Sequence, residues 1–341
     1  MAEKMRVGLA GLVHDHVWVL AKQWQELDAE VVAAADPNQP LLERMQSEYG
    51  VARAYADYHE MLAEEDLQIV QVGLENSSHA DVVEAAAAVG VDCLVEKPMA
   101  ATYDQADRMV RAAEAAGIKL MVNWPLTWNP AYRRARELVA EGAIGRVIQV
   151  KHRGGHSGPL DRGTSEYFRD WLYDAERNGA GAYMDYSGYG VNVALDYLEG
   201  PRAVYAHAAN LAQDHHTVDD NSILIVKFAR AMAVVEGTWT ERFELPWTTF
   251  ITGAEGALMA DYHTMELVRF DGDHESGEPV ALVPPSAGER NGPEYFVARL
   301  QSSAPVDGPS TARRGRDVQE VLQAGLISMA EGREVTLPLG E

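Results

Sequence analysis

Short apolar runs alternate with amphipathic stretches over the first third of the chain. The runs have the length and flanking residues of buried strands, and they occupy Arg6–Ala10, Glu30–Ala35, Gln68–Leu74, Asp92–Val95 and Ile118–Asn123. Helices are predicted between them, after His16 to about Leu27, over Leu41–Tyr49, over Ser78–Val89, and from a capping box at Thr102 and Gln105 to Gly117. Strands that alternate with helices pair in parallel, so residues 1–123 are predicted to form a doubly wound α/β domain.

The pattern changes after residue 123. A helix over Pro130–Glu141, a strand over Arg146–Arg153, a long loop over Gly154–Ala180 and a helix over Asp185–Leu198 come first. Residues 202–270 then read almost entirely as strand, in the segments RAVYAHA, SILIVKFA, AMAVVEGTW, WTTFITG and ALMADY. The polar, Pro- and Gly-rich stretches 271–294 and 302–316 indicate loops, and Asp317–Ala330 indicates a last helix. Consecutive strands favour an antiparallel or mixed sheet. Residues 124–341 are therefore predicted to form an α+β domain with a large open, mostly antiparallel sheet.

Charge and cysteine content narrow the classes of partner. The chain has 341 residues and a formal net charge of −23, which argues against nucleic acid and anionic membranes as partners. Cys93 is the only cysteine, so an intrachain disulfide is excluded and a reducing compartment is the simple inference. We find no apolar run of membrane-spanning length and no signal-peptide pattern at the start of the sequence. A cytoplasmic protein is the expectation.

The segment VDCLVEKPMA, residues 91–100, ends a predicted buried strand with a charged pair. Pro98 keeps Lys97 out of the right-handed helical region, so the backbone of Lys97 is held extended. The carboxyl end of a strand in a parallel sheet is where ligands bind. Glu96 and Lys97 are therefore candidate site residues, although solvated loop charges are the common alternative.

A partial dinucleotide-binding fingerprint lies in the first two predicted strands. Gly8 and Gly11 follow the pattern of a loop whose backbone N–H groups hold a pyrophosphate, and Asp36 stands where an acid binds the ribose hydroxyls. An acid there repels a 2′-phosphate, which favours NAD over NADP. The second and third glycine positions are occupied by Val13 and His16, so the fingerprint alone is a poor match.

Two interpretations of this damaged loop remain open. In the first, the loop is wider and His14 or His16 donates a hydrogen bond to the pyrophosphate. In the second, the pocket no longer holds a dinucleotide. A metal site at His14-Asp15-His16 lacks a partner cluster at a recognised spacing, so no metal is expected.

Eight segments of the chain, in order, resemble one family. They are RVGLAGL at 6–12, AADP at 34–37, ENSSHADVVEAA at 75–86, EKP at 96–98, NPAYRRARELVAEGAIGRV at 129–147, GAGAYMDYSGYGVN at 179–192, ITGAEGAL at 251–258 and MAEGREVTLP at 329–338. Together they resemble the Gfo/Idh/MocA oxidoreductases, named for glucose–fructose oxidoreductase and inositol dehydrogenase. The resemblance covers nearly the whole chain.

The resemblance implies an N-terminal Rossmann domain and a C-terminal domain whose open sheet makes a homodimer or homotetramer. It implies NAD(P)-dependent hydride transfer on a sugar or polyol. It also implies that Lys97 faces the substrate and the nicotinamide, and that the Lys97-Pro98 bond is cis. The residues expected to line the cofactor are Gly8, Gly11, Leu12, Val13, His14, Asp36, Asn76, His79, Glu96 and Lys97.

The family's second catalytic element is similar to the helix that follows GAGA. Its common form has a histidine four residues after an aspartate, and this chain has Tyr189 four residues after Asp185. Glucose–fructose oxidoreductase and some other members have a tyrosine there. Asp185, Tyr189 and Asn192 share one helical face, although an aromatic-lined core face is the plain alternative. Substrate contacts are expected from Trp124, Arg153, His156, Trp171 and Asn192, and the substrate itself cannot be named.

The resulting hypothesis is a dehydrogenase or reductase in which Tyr189 exchanges a proton with the reacting hydroxyl. A tyrosine has a pKa of about 10, and a cationic Lys97 nearby would favour the phenolate. Lys97 would also polarise the carbonyl, and Asp185 would orient a hydroxyl. Two rivals stay open: a glycosidase that retains NAD, and a non-catalytic sugar-sensing regulator on the same fold.

Overall fold

The computed structural model of the chain describes residues 4–243, 248–270 and 277–340. These residues cluster into two compact units. The first contains the described residues up to Trp124, together with Thr164–Gly179 and Ala287–Arg316. The second contains Pro125–Gly163, the described residues between Ala180 and Ser286, and those from Asp317 onward. The two later segments of the first unit lie beyond residue 123, so these units do not follow the single boundary that the sequence suggested.

A six-stranded parallel sheet forms the centre of the first unit. Its strands are β1 (Met5–Ala10), β2 (Ala29–Ala35), β3 (Arg53–Tyr55), β4 (Ile69–Val72), β5 (Asp92–Glu96) and β6 (Leu120–Asn123), and their spatial order is β3-β2-β1-β4-β5-β6. Every neighbouring pair runs parallel. The predicted doubly wound sheet is confirmed, and its five predicted strands form because their apolar residues are buried.

Five helices connect these strands. They are α1 (His16–Gln25), α2 (Gln39–Tyr49), α3 (Tyr58–Glu64), α4 (His79–Ala88) and α5 (Tyr103–Ala116). The predicted capping box is present, since the hydroxyl of Thr102 accepts from the N–H of Gln105 and the side chain of Gln105 accepts from the N–H of Thr102. Strand β3 and helix α3 were not predicted. Strand β3 is short and partly exposed, so it lacks the apolar run that marks the others.

The second unit is built on a nine-stranded sheet. Its strands are β7 (Val147–Gly155), β8 (Ala203–Ala209), β9 (Asn221–Lys227), β10 (Met232–Thr238), β11 (Thr249–Gly253), β12 (Gly256–Ala260), β13 (Met265–Arg269), β14 (Glu278–Pro279) and β15 (Val335–Thr336). Their order is β14-β13-β12-β11-β7-β10-β9-β8-β15. Only β7 and β10 pair in parallel among these described strands, so the predicted open, mostly antiparallel sheet is confirmed. Trp247, the first residue of the predicted strand WTTFITG, lies outside the described residues.

The remaining helices are α6 (Pro130–Ala140), α7 (Glu166–Leu172), α8 (Ala175–Asn178), α9 (Ala182–Tyr197), α10 (Gly292–Gln301) and α11 (Ala312–Glu331). Short 3₁₀ helices cover Asn76–Ser78, Pro125–Trp128 and Gly308–Ser310. Helix α9 packs against β7, β9 and β10. No helix among the residues described is both long and apolar enough to pass through a bilayer.

Three segments that were predicted to be loops contain helical residues, and in each case a side chain caps the helix. Segment 154–180 contains α7, whose N-terminus is capped by Ser165, and α8, which is capped by Asp174. Asn291 caps α10 inside the predicted loop 271–294, of which residues 271–276 lie outside the described part. Helix α11 begins at Ala312 rather than Asp317, because the hydroxyl of Thr311 accepts from the N–H of Arg314.

We expect Gly11→Ala to destabilise the first unit more than Gly50→Ala. Both glycines have positive φ, +88° and +71°, which costs a residue with a Cβ about 1–2 kcal/mol. A Cβ on Gly11 would also lie 2.3 Å from Leu74 Cγ, whereas a Cβ on Gly50 meets nothing within 4 Å. Urea unfolding should show that the free energy of unfolding falls by about 1 kcal/mol in Gly50→Ala and by at least about 3 kcal/mol in Gly11→Ala. Equal losses would show that the contact with Leu74 is not limiting.

Candidate cofactor and substrate sites

The loop that follows β1 is fixed to the end of β2 by a buried carboxylate. The N–H of Leu12 donates to Asp36 Oδ2 at 2.6 Å, and the backbone and side-chain N–H groups of Asn38 donate to Asp36 Oδ1 at 2.8 Å. Asp36 is 2% exposed. Burial raises the pKa of Asp36, although the hydrogen bonds from Asn38 and Leu12 oppose that rise. Asp36 thus positions the loop as well as standing where an acid would meet a ribose.

Two backbone donors of this loop remain available to an anion. The N–H of Gly11 donates to Ala35 and that of His14 to Gly73. By contrast, the N–H groups of Val13 and Asp15 have no acceptor among the residues described. Unpaired N–H groups at the start of a helix bind phosphate. The loop therefore fits a pyrophosphate despite the missing glycines.

His14 is buried against aromatic rings of the first unit. It is 1% exposed, and its ring centroid lies 4.6 Å from that of Phe168 and 5.6 Å from that of Trp171. Its Nδ1 accepts from the N–H of His16 at 3.2 Å. Burial, and then the charges of His16 and Lys97, hold the pKa of His14 well below its ordinary value. The imidazole is therefore neutral at physiological pH.

Glu96 ends β5 with its carboxylate fully enclosed. Asn123 Nδ2 donates to Glu96 Oε1 at 2.8 Å, while Oε2 lies 3.0 Å from His16 Nδ1 and 4.0 Å from His14 Nε2. Burial alone would raise the pKa of Glu96, but His16, Asn123 and Lys97 together hold the pKa below its ordinary value. Lys97 itself is 4% exposed, and the expected cis bond to Pro98 is present.

Asn76 and His79 follow β4 and form hydrogen bonds with neighbouring segments of the first unit. The side-chain amide of Asn76 donates to the backbone and side-chain oxygens of Asn178 at 3.1 and 2.8 Å. Asn76 Oδ1 is buried without a partner in the described part of the chain. The ring nitrogens of His79 lie 3.1 and 3.2 Å from the carbonyls of Met99 and Leu74, and burial lowers the pKa of His79. His79 therefore joins the loops after β4 and β5, and Asn76 keeps an acceptor for a ligand.

Two of the expected substrate residues lie in the first unit. Trp124 follows β6 and Trp171 lies in α7, and each is 1% exposed. Trp171 Nε1 is buried with no hydrogen-bond partner among the described residues. Trp171 thus stands beside His14 in the same unit as the cofactor loop.

Helix α9 carries the candidate acid–base residues of the second unit. Asp185 is 7% exposed, and Trp239 Nε1 donates to Asp185 Oδ2 at 3.0 Å. The ring of Tyr189 lies 5.8 Å from that of Tyr186, which meets His156 edge-on at 5.1 Å. Asn192 is 5% exposed on the same helix. Asp185, Tyr189 and His156 are thus parts of one aromatic-lined region.

The structure places Arg153 apart from this region. Alternation along β7 puts His152 on the face that packs against α9, so Arg153 lies on the opposite face of the sheet. There Arg153 pairs with Glu236 at 2.7 Å and with Glu241 at 2.9 Å. Substrate binding by Arg153 stays a prediction that this arrangement does not support.

Sequence reasoning missed Trp239 and did not predict that His152 is buried. The sequence could not reveal Trp239, because its hydrogen bond to Asp185 joins residues 54 positions apart. His152 lies beneath α9, since a Cβ on Gly190 would come within 2.9 Å of its ring. His152 Nδ1 lies 2.8 Å from Thr249 Oγ1, and burial lowers the pKa of His152 to about 4. The apolar residues on the same face of β7 were the sequence signal that could have indicated burial of this histidine.

The strand order of the first unit is that of the dinucleotide-binding Rossmann fold. The sequence pattern of one oxidoreductase family, described by its NAD-binding Rossmann fold, matches residues 5–124, and the pattern of the Gfo/Idh/MocA C-terminal domain matches residues 132–259. The chain belongs to the Gfo/Idh/MocA oxidoreductase family.

Two curated relatives and one solved structure illustrate the similarity. D-apiose dehydrogenase of Paraburkholderia graminis is 37% identical over 123 residues, which cover 36% of this chain and 33% of that protein. D-xylose 1-dehydrogenase (NADP(+)) 2 of Haloferax volcanii is 32% identical over 202 residues, 59% of this chain and 60% of that one. The match therefore spans only a third to three fifths of these relatives. Levoglucosan dehydrogenase in complex with NADH and levoglucosan superposes with a TM-score of 0.82 at 20% identity, over 98% and 100% of the two chains.

We expect His152→Gln to reduce the loss of stability on mild acidification. The imidazole has a pKa of about 4 in the folded chain and about 6.5 when unfolded, so the unfolded chain binds the proton more readily. The free energy of unfolding therefore falls as pH drops from about 6.5 to about 4. Between pH 7 and pH 5 this group should cost about 2 kcal/mol, and glutamine removes that cost while keeping a polar partner for Thr249. Urea unfolding at both pH values measures the free energy of unfolding, and His207→Gln, at an exposed position of β8, is the control. Parallel losses in wild type and His152→Gln would contradict the expectation.

Proposed function

We propose that this protein is an NAD(P)-dependent oxidoreductase that transfers hydride to or from a hydroxyl or carbonyl carbon of a sugar or polyol. One observation carries the proposal. In the first unit, the loop after β1 offers two unpaired N–H groups, and the same loop reaches Lys97 through a hydrogen bond between His14 and the Lys97 backbone. A phosphate-binding loop thus adjoins a buried lysine at the carboxyl end of β5, where nucleotide ligands bind in this fold. Relatives named as sugar dehydrogenases support the substrate class.

The cofactor proposal is NAD in preference to NADP. When bound, the nicotinamide cofactor supplies or accepts the hydride. On this chain, the N–H groups of Val13 and Asp15 would hold the pyrophosphate. Asp36 would accept from the ribose hydroxyls and repel a 2′-phosphate, although the relative from Haloferax volcanii is named for NADP(+). Asn76 Oδ1 and the other predicted lining residues of the unit would complete the contacts.

We propose that Tyr189 exchanges the proton of the reacting hydroxyl and that Lys97 polarises the carbonyl. Asp185 orients a substrate hydroxyl, and Trp239 fixes one of its carboxylate oxygens. Asn192, His156, Trp124 and Trp171 are the remaining proposed substrate contacts. General acid–base catalysis of this kind contributes about 10²–10⁴-fold to the rate.

We further infer that copies of the chain associate through the open sheet. Tyr205, Ile225, Val234, Lys151 and Phe250 stand in one row across β8, β9, β10, β7 and β11. Tyr205, Ile225 and Phe250 are 47%, 38% and 37% exposed. Exposed apolar residues that lie on one sheet face, here interrupted by Lys151, are typical of protein interfaces, which supports a homodimer or homotetramer. The cytoplasmic location stays a prediction from the single cysteine.

We expect Tyr189→Phe to lower kcat by about 10²–10⁴-fold while leaving the Kd of NAD within about twofold of wild type. The phenol is lost but no group of the cofactor-binding unit changes. NADH absorbance with a panel of sugars and polyols measures kcat, and calorimetry measures Kd. Tyr197→Phe, on the same helix, is the control and should keep both constants. Undiminished turnover in Tyr189→Phe would remove Tyr189 from the mechanism. An enzyme that released products without net NADH would be the NAD-retaining glycosidase instead.

We expect Asp36→Ser to change cofactor preference. Removal of the carboxylate relieves its repulsion of the 2′-phosphate, so the ratio of the NADP Kd to the NAD Kd should fall by at least about tenfold, equivalent to about 1.4 kcal/mol. Both cofactors should bind more weakly in absolute terms, because the N–H of Leu12 loses its acceptor. Titration of each cofactor against intrinsic fluorescence supplies the two constants, and their ratio is an internal control. An unchanged ratio would show that Asp36 only supports the loop.

A further inference from the structure

The first unit brings two imidazoles and a carboxylate to one point. His14 and His16 come from the loop and first turn after β1, and Glu96 comes from the end of β5, 80 residues after His16. One ligand-type atom of each residue lies within 4.8 Å of the others. We call these three residues the histidine–glutamate cluster. The sequence supplied only the two histidines, and folding adds the third potential ligand.

The distances within this cluster suit a single shared ion. Ligand atoms bonded to one transition-metal ion at about 2.0–2.2 Å lie between about 3 Å apart, when adjacent, and about 4.4 Å apart, when opposite. Glu96 Oε2 lies 3.0 Å from His16 Nδ1 and 4.0 Å from His14 Nε2. The shorter distance is that of a hydrogen bond, whereas the longer one exceeds hydrogen-bond range. Shifts of a few tenths of an ångström would place all three atoms around one centre.

Neighbouring residues fix the orientation of the three side chains, as they commonly do around metal ligands. Asn123 donates to the other oxygen of Glu96 and so fixes the direction of Oε2. The rings of Phe168 and Trp171 confine the imidazole of His14. A metal ion on His14 Nε2 would move the ring proton to Nδ1 and replace the 3.2 Å hydrogen bond from the N–H of His16. The side chain of His16 is 40% exposed while those of His14 and Glu96 are 1% exposed. The cluster is therefore enclosed on one side and open to an entering ion on the other.

We propose that His14, His16 and Glu96 bind one divalent transition-metal ion. Two imidazoles and one carboxylate are the donor set that Zn²⁺, Co²⁺ and Fe²⁺ accept with further positions left open. One carboxylate and two neutral imidazoles carry a single negative charge, so a divalent ion leaves the cluster with one positive charge. Lys97 adds a positive charge nearby, which selects against ions that bind by charge alone, such as Mg²⁺. The site does not depend on the proposed oxidoreductase activity.

Cobalt spectroscopy on tag-free, chelator-treated full-length protein tests the site without cofactor or substrate. Co²⁺ should bind one ion per chain and give a visible d–d absorption band, and Zn²⁺ should displace it. His16→Ala and Glu96→Gln should each weaken Co²⁺ binding at least about tenfold. His59→Ala, which removes an exposed histidine of α3, should bind as wild type does. Circular dichroism confirms that each variant is folded, and the partly exposed His16 makes its variant the safer of the two.

The outcomes separate this proposal from the proposed function. A wild-type protein with no d–d band, or a His16→Ala variant with an unchanged Co²⁺ titration, would overturn the metal site whether or not NADH is formed. Binding that is lost in both cluster variants and kept in His59→Ala would establish it, even if no sugar is oxidised. Weak binding reduced equally in all three variants would show adventitious surface coordination and would also overturn the proposal.

Discussion

The carboxylate of Glu96 is the constraint on which the nucleotide-binding unit depends. A buried ionised group must be compensated by hydrogen bonds or opposite charge, and Glu96 is 1% exposed. Its partners come from three places: Asn123 at the end of β6, His16 at the start of α1, and the neighbouring Lys97. Compensating this one charge therefore fixes the edge of the sheet on one side and the first turn of α1 on the other. The cofactor loop lies between those two points.

The architecture could be predicted from the sequence wherever a local signal was sufficient. Continuous apolar runs identified the central strands of the parallel sheet, and the capping box at Thr102 set the start of α5. Helices α7, α8 and α10 were missed because their capping residues lie in polar segments that resemble loops. Asn291 followed by Gly292 and Pro293 was a usable signal for α10. The exposed strand β3 offered no comparable apolar run.

The candidate site could be predicted only in part. Asp36 and Glu96 were identifiable because each follows directly from a buried strand. The convergence of His14, His16 and Glu96 was not, since contact between residues 80 positions apart depends on the packing of α1 over the sheet. The placement of Arg153 was predictable in principle. Period-two alternation along β7 assigns Arg153 and His152 to opposite faces, and the apolar neighbours of His152 mark its face as the buried one.

The path of the chain has a consequence for how the nucleotide-binding half can be dissected. The backbone passes from one compact unit to the other after Trp124, Gly163, Gly179, Ser286 and Arg316. The later segments of the first unit supply the aromatic rings around His14 and helix α10, which packs on α1. A fragment cut at residue 123 would therefore keep every strand of its sheet yet lose the lining of its own histidine. Because this half is assembled from three separate segments of the chain, truncation at a single peptide bond cannot isolate it intact.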